Sequence, residues 1–340
     1  MKNLLMKKSV LTKAMIFVGM VVLITAIWVP SGMAKDIYPK KRITCVVYTR
    51  PGGGFDVIAR TLMPYLEKHL KAMSPDAKGG EVVIKNTPQA GGRRAFSTVF
   101  HARPDGYTIG DFNAAYATTD IVAKTKSKFD YTQFTFLLRA GVSKRVILAK
   151  KGRFKNWEDM LKEDKQKELK WAASNFGRGH HVTCILLKEE AKMNVRLINF
   201  PGAAENINAL MRGDVDMAIS AIESAVPMIK AGEFEALAVL SEKSELPGVP
   251  SIAELGFEEI AGILQLHRIF IAPPKLEKEP YDKLVEAFKR VFKDPEYLAQ
   301  AKKIRFEPDP LYGEDAQKTV QKVFEAYRNR APILEKYLAQ

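Results

Sequence analysis

The sequence predicts an α/β fold of two domains, and three observations predict it. A buried-strand run, then a glycine- or proline-containing loop, then a helical apolar stripe recurs four times along the chain. Of the 340 residues, 306 lie beyond position 34, more than one core usually serves. A further strand-like run near residue 268, after the repeated units, gives the chain a way back to the domain it left near residue 140.

The first unit begins with Ile43 to Thr49 (ITCVVYT), apolar on both faces as in a buried strand. The loop PGGGFD follows, and then Val57, Ile58, Leu62, Tyr65, Leu66 and Leu70 recur at helical spacing. Each glycine costs backbone entropy and adds nothing to a core, so three together imply that the backbone must come close to something. Val82 to Lys85 opens the second unit, followed by NTPQAGG and a helix with Phe96, Val99 and Phe100 that Pro104 stops. In the third, Leu169 to Ala173 leads through SNFGRG to Val182, Ile185 and Leu186. In the fourth, Val195 to Phe200 leads through Pro201, Gly202 and Ala203 to Ile207, Leu210 and Met211, with Gly213 placed as a carboxy-terminal cap. This alternation predicts parallel or mostly parallel sheets with helices on their faces. Phe129 to Gly141 separates the two pairs of units, and the last seventy residues carry two helical stripes, Leu284 to Phe292 and Val320 to Tyr327. The expected division is residues 35–139 with 269–340 in one domain and 140–268 in the other. Two crossings make a hinge, expected near Arg139 to Arg145 and Leu264 to Arg268.

The amino terminus has the three-part layout of an export signal. Lys2, Lys7, Lys8 and Lys13 precede an uncharged apolar run of sixteen residues, Ala14 to Val29, and then Pro30, Ser31, Gly32, Met33 and Ala34. The run falls short of the ~20 residues of a membrane span. Gly32 and Ala34 supply the small residues before a cut, so cleavage is expected after Ala34, the alternative being an uncleaved anchor. The formal net charge is +14, and the four signal lysines account for four of it. The rest is spread in small groups such as Lys40-Lys41-Arg42, without zinc-finger spacing or aromatic RNA-binding motifs, which excludes nucleic acid as the expected partner. Cys45 and Cys184 each sit in an apolar pattern, far apart in sequence, and are read as two buried thiols.

Loops that open helices suit anions, because the first-turn amides lack intrahelical partners and the peptide dipoles add roughly half a positive charge there. In open α/β sheets ligands sit beyond the carboxyl ends of strands, where all four loops fall. Within them Asp56 is first a helix N-cap and second a ligand contact, while Phe55 is either a core plug or a cleft wall. Arg93, Arg94 and Arg178 follow or interrupt glycine loops, and Arg178 stands inside one, between Gly177 and Gly179. His180 and His181 point about 100° apart on a helix, which suits capping or packing better than metal. Cys184 lies on an apolar stripe, and neither a nucleophile elbow, a P-loop nor a G-x-G-x-x-G turn occurs. No cofactor is expected.

Tyr38-Pro39, PGGGFD, KNTPQAGG, PDGYTIG, WAASNFGRGHHV, NFPGAAENINALMRGDVD and EALAVLSEKSELPGVPSIAELGF, in this order, resemble the substrate-binding receptors of tripartite tricarboxylate transporters, the Bug family. The resemblance spans nearly the whole exported part. It implies a two-lobed periplasmic-binding-protein fold of type II, periplasmic and monomeric, that closes on a small organic anion and delivers it to a permease of one large and one small membrane subunit. It further implies that one carboxylate is held by amides of the loops containing Gly53, Gly54, Phe55 and Asp56, and Ala90, Gly91 and Gly92, with Arg93 beside them. Carried onto the second lobe, the pattern gives Ser174, Phe176, Gly177, Arg178, Gly179, His181, Gly202 and Ala203. Phe55, Pro88-Gln89 and Arg178 depart from the usual pattern by adding an aromatic wall and a cation, which points to a dicarboxylate or an aromatic acid. Two other readings stand beside transport: a receptor feeding a membrane sensor, and an exported enzyme using a titratable pair such as Glu223 with His181.

Overall fold

The four strand-loop-helix units divide two and two between separate sheets. The computed structural model of the chain describes residues 38–74, 79–116, 118, 129–174, 176–177 and 179–338. The expected export signal, its cut after Ala34, and Arg178 lie outside these residues. The first sheet holds β1 (Ile43–Val47), β2 (Val82–Asn86), β3 (Thr108–Phe112), β4 (Thr135–Ser143), β10 (Leu266–Ala272) and β11 (Leu311–Tyr312), in the order β11-β4-β10-β3-β1-β2. The second holds β5 (Arg145–Lys150), β6 (Leu169–Ser174), β7 (Val195–Phe200), β8 (Met217–Ala221) and β9 (Phe234–Val239), in the order β7-β6-β8-β5-β9.

Both sheets are mixed, and the same logic mixes them. β1 runs parallel to β2 and β3, and β6 parallel to β7 and β8, as right-handed strand-helix-strand units require. The strands that bring the chain across enter antiparallel: β10 between β3 and β4, and β5 between β8 and β9. β4 ends in the first sheet at Ser143 and β5 begins in the second at Arg145, so Lys144 alone spans the outward crossing. The return runs from Val239 to Leu266 through the short helix α7 (Glu258–Ala261). The sequence boundaries at 139/140 and 268/269 therefore lie inside β4 and β10.

Helices follow the predicted stripes. The long α1 (Gly54–Met73) buries Ile58, Leu62, Leu66 and Leu70 against the first sheet and packs beside α8 (Lys278–Val291). α2 (Arg93–Phe100) lies close on β3 because Gly110 has no side chain; a Cβ there would meet Val99 Cγ2 at 2.7 Å. In the second sheet, α3 (Trp157–Asp164), α4 (Gly179–Glu190), α5 (Ala203–Arg212) and α6 (Ile222–Lys230) cover the strands. Met211, expected on the buried stripe of α5, is instead 45 % exposed; Leu210 is the residue turned inward. Gly213 ends α5 in the left-handed conformation, as its position predicts.

The carboxy terminus does not stay with the first sheet. α9 (Pro295–Lys303) packs on α1 and α10 (Gly313–Asn329) on β4, but α11 (Ala331–Leu338) packs on α4 of the second sheet. There Leu334 is buried, Arg330 Nε donates to Glu190 at 3.0 Å, and Lys336 and the Tyr337 hydroxyl both bond Glu189. One apolar cluster consequently runs from Phe96 and Phe112 through Phe324, Tyr327 and Leu334 to Trp171 and Leu186.

Cys45 on β1 and Cys184 on α4 are buried in different apolar clusters and are both free. Burial raises both thiols well above the ordinary range. Ellman's reagent is expected to leave both unreacted in the native protein and to titrate two thiols in guanidinium chloride, with or without prior reduction. A thiol count of zero in denaturant before reduction would show a disulfide instead.

Candidate functional site

Four helices begin where the strands of the two sheets end. Gly54 and Phe55 open α1 from the first sheet; Gly179, Ala203 and Ala221 stand at the starts of α4, α5 and α6 from the second. These turns line one cavity of about 650 Å³. Sequence reasoning finds three of the four. It names the turn before α2 as the fourth, whereas the structure supplies the β8–α6 turn, with Ser220 and Ser224. That turn escapes the sequence because Met217–Ala221 is followed by a helix with no glycine between them.

The loop before α2 acts one step back. Ala90, Gly91 and Gly92 are successive residues with positive φ, and the Gly91 carbonyl accepts the Tyr116 hydroxyl at 2.6 Å. A Cβ on Gly92 would meet Tyr48 Cδ2 at 2.9 Å. Tyr48 and Tyr116 themselves line the cavity, with Phe55 4.7 Å from the Tyr48 ring centre. Phe55 is both of its alternatives at once, 4 % exposed in the core and facing the cavity.

Two arginines that the sequence analysis did not single out as site residues stand in the same wall. Arg268 of β10 is 7 % exposed, donates from Nε to Ser143 Oγ at 2.9 Å and lies over the Phe55 ring at 4.4 Å. Its guanidinium is so close to the start of α1 that a Cβ on Gly54 would stand 3.1 Å from Nη2. Arg145 of β5 is 3 % exposed; Nη2 donates to Thr183 Oγ1 at 2.8 Å and to the Leu264 carbonyl, while Nε and Nη1 have no partner. Burial, and more weakly the field of Arg268, lower the Arg145 pKa to about 10. Neither arginine forms an ion pair with a described acid, although the fields of Glu223 and Asp111 reach Arg268. Arg145 belongs to the outward crossing and bonds the return; Arg268 belongs to the return and bonds the last residue of the outward strand.

No described residue lining the cavity is an acid. Asp111 on β3 lies behind it, 1 % exposed, accepting the Tyr48 N–H at 2.9 Å through Oδ1 while Oδ2 has no partner. Burial pushes its carboxyl up to about 8, against the Tyr48 hydrogen bond and the Arg268 field. His180 lines the cavity with its pKa lowered to about 3, first by burial and then by Arg145. His181 turns away: Nδ1 accepts the Gly177 N–H at 2.9 Å, its ring lies 4.9 Å from that of Phe176, and burial lowers it to about 4. It shapes the loop. Among the described residues no group of three His, Cys, Asp or Glu is placed to hold a metal.

Of the residues the sequence places at the site, Gly54, Phe55, Ser174, Gly179 and Ala203 line the cavity. Gly53, Asp56, Ala90, Gly91, Gly92, Arg93, Phe176, Gly177, His181 and Gly202 are not among the lining residues. Asp56 is not the expected N-cap: Gly53 holds that position, and Asp56 reaches back from the third helical residue to the Gly52 N–H at 2.8 Å. Burial would raise its pKa, but hydrogen bonds from Arg60, Asn86 and Gly52 outweigh that and hold it below the ordinary value. Glu223 and His181 do not meet in the cavity; Glu223 lines a separate groove with Lys144, Glu245 and Arg305.

Two mixed α/β sheets, joined by strands that cross between them and facing a common cavity with their helix starts, define a solute-binding receptor of the periplasmic-binding-protein type. The chain belongs to the tripartite tricarboxylate transporter family receptors, whose profile matches residues 69–338. It is 25 % identical to the UPF0065 protein in gbd 5′ region of Cupriavidus necator over 314 residues, 90 % of each chain. Among solved structures it is similar to the periplasmic binding protein BugD, at 25 % identity and a TM-score of 0.70, over 89 % of this chain and 100 % of that one. A Rhodopseudomonas palustris protein with adipate gives a TM-score of 0.71 at 22 % identity, over 87 % and 98 %.

Asp111 and His181 each yield a test. An aspartate titrates near ~3.9 in the unfolded chain, so the folded protein holds the Asp111 proton more tightly, and that stability is lost as pH rises from about 4 toward 8. Asp111→Asn, which keeps the acceptor for Tyr48, is expected to gain melting temperature relative to wild type between pH 5 and pH 8.5; a flat difference would refute the assignment. His181→Ala, leaving the buried Gly177 N–H without its acceptor, is expected to cost about 1–3 kcal/mol in denaturant unfolding.

Proposed function

We propose that the protein is an extracytoplasmic receptor that captures a small organic carboxylate and hands it to a membrane permease with one large and one small subunit. The observation that carries this reading is the composition of the cavity wall: helix starts from both sheets and two buried guanidinium groups, with no acid among the described lining residues. Such a wall offers positive potential in a place shielded from water, where carboxylates bind best. Membership of the receptor family and the adipate in a structural neighbour support the same ligand class. The amides of Gly54, Phe55, Gly179 and Ala203 hold one carboxylate, Ser174 and the β8–α6 turn serve the rest of the ligand, and Tyr48, Phe55 and Tyr116 pack on its apolar part.

The lobes built on the two sheets close over the ligand, bending at Lys144 and the 264–268 return, and exchange its hydration for fixed dipoles. Export follows cleavage after Ala34, and the receptor acts as a periplasmic monomer. In this reading no chemistry is done on the ligand, and Glu223 and His181, one titratable pair an enzyme could have used, face different surroundings.

A thermal-shift series of mono-, di- and tricarboxylates and aromatic acids tests this. A ligand at one hundred times its dissociation constant adds ~2.7 kcal/mol of stability, and mass spectrometry should recover it unchanged after prolonged contact. A panel that leaves the melting temperature unmoved would overturn the receptor reading, and conversion of the ligand would make the protein an enzyme.

A further inference from the structure

We propose that Arg145 and Arg268 count charge, so that the receptor selects dianions, two carboxylates on one small molecule, over monoanions of the same size and shape. This rests on the reading of the cavity as a carboxylate site and names the residues that set its specificity.

The argument is one of compensation. A buried cation is tolerated when it is paired and costs several kcal/mol when it is not. Here both guanidinium groups are more than nine-tenths buried, and their partners are neutral: Ser143 Oγ and the Phe55 ring for Arg268, Thr183 Oγ1 and the Leu264 carbonyl for Arg145. These fix each fork in place without cancelling its charge. Arg145 retains two nitrogens, Nε and Nη1, with no acceptor. Glu223 and Asp111 reach Arg268 only through their fields: neither forms an ion pair with it, and burial raises both carboxyls. Two positive charges thus face one cavity, and one raises the cost of the other.

A monoanion on the helix starts relieves part of that cost and leaves the second guanidinium unmatched. A dianion of suitable length relieves both, forming charge-assisted hydrogen bonds of the strong kind. The two arginines come from the two crossing strands, so the molecule that neutralises them bridges the elements about which the lobes turn. Tyr48 and Tyr116 flank the same space and accommodate the spacer between the carboxylates.

Titration calorimetry on the purified protein with succinate, glutarate and adipate, each paired with its monoamide, reads the charge count at nearly constant shape. The best dianion is expected to bind at least about tenfold tighter than its monoamide, the worth of one charge-assisted contact. Arg268→Gln should weaken the dianion more than its monoamide and so erase most of that ratio, and Arg268→Lys should restore part of it. Equal affinity of dianion and monoamide for the wild-type protein, a comparison that needs no variant to fold, would overturn the charge-counting role and leave the receptor standing. Binding of no carboxylate at all would overturn both.

Discussion

Positive charge at the seam between the sheets is the constraint around which the rest of the molecule is arranged. Arg145 and Arg268 are carried into the interior by the strands that cross, where moving an ion out of water costs several kcal/mol even after relaxation. That cost is borne by the apolar contacts around them: the clusters on both faces of each sheet, and the face of Phe55 beneath the Arg268 guanidinium. The helix starts add to the same field instead of opposing it. A wall so built favours an anion, which is what the proposed capture role requires.

The glycine loops divide this work more finely than their similar composition suggests. Gly54 clears space for a guanidinium, since any side chain there would press on Arg268. Gly92 clears space for two tyrosines, Tyr48 and Tyr116, and the Gly91 carbonyl holds the hydroxyl of the second. Gly177 offers its N–H to His181 and so fixes the turn ahead of α4. Three loops with one compositional signature thus perform three tasks, and the first and third also bring backbone to the cavity wall, at Gly54 and Gly179.

Much of this was readable in the sequence, and the remainder was hidden for definable reasons. The runs 43–49 and 169–173 announce themselves because inner strands buried on both faces are nearly continuous apolar stretches, and the edge strands at 82–85 and 195–200 by the loop and helix that follow them. β3 does not, because Gly110 and Asp111 interrupt TIGDF; yet Gly110 is there for helix packing and Asp111 for the Tyr48 amide. β5 and β10 border the expected hinge segments, but Arg145 and Arg268 look like ordinary edge charges until topology buries them. The signal was present all the same: an arginine set directly before VILA and another before IFIA, in strands otherwise too apolar to be exposed. Arg178, singled out because glycines flank it, lies outside the described residues.

The last helix changes how the two halves can move. Because α11 leaves the first sheet's α10 and docks on α4, the halves are fastened at a third place, through Arg330, Lys336 and Tyr337 to Glu189 and Glu190. A rotation that pulled this edge apart would break an apolar contact and several charge-assisted bonds together, whereas one whose axis passes near it would disturb neither. Any relative movement of the halves therefore has a fixed edge, like a door fitted with a check strap.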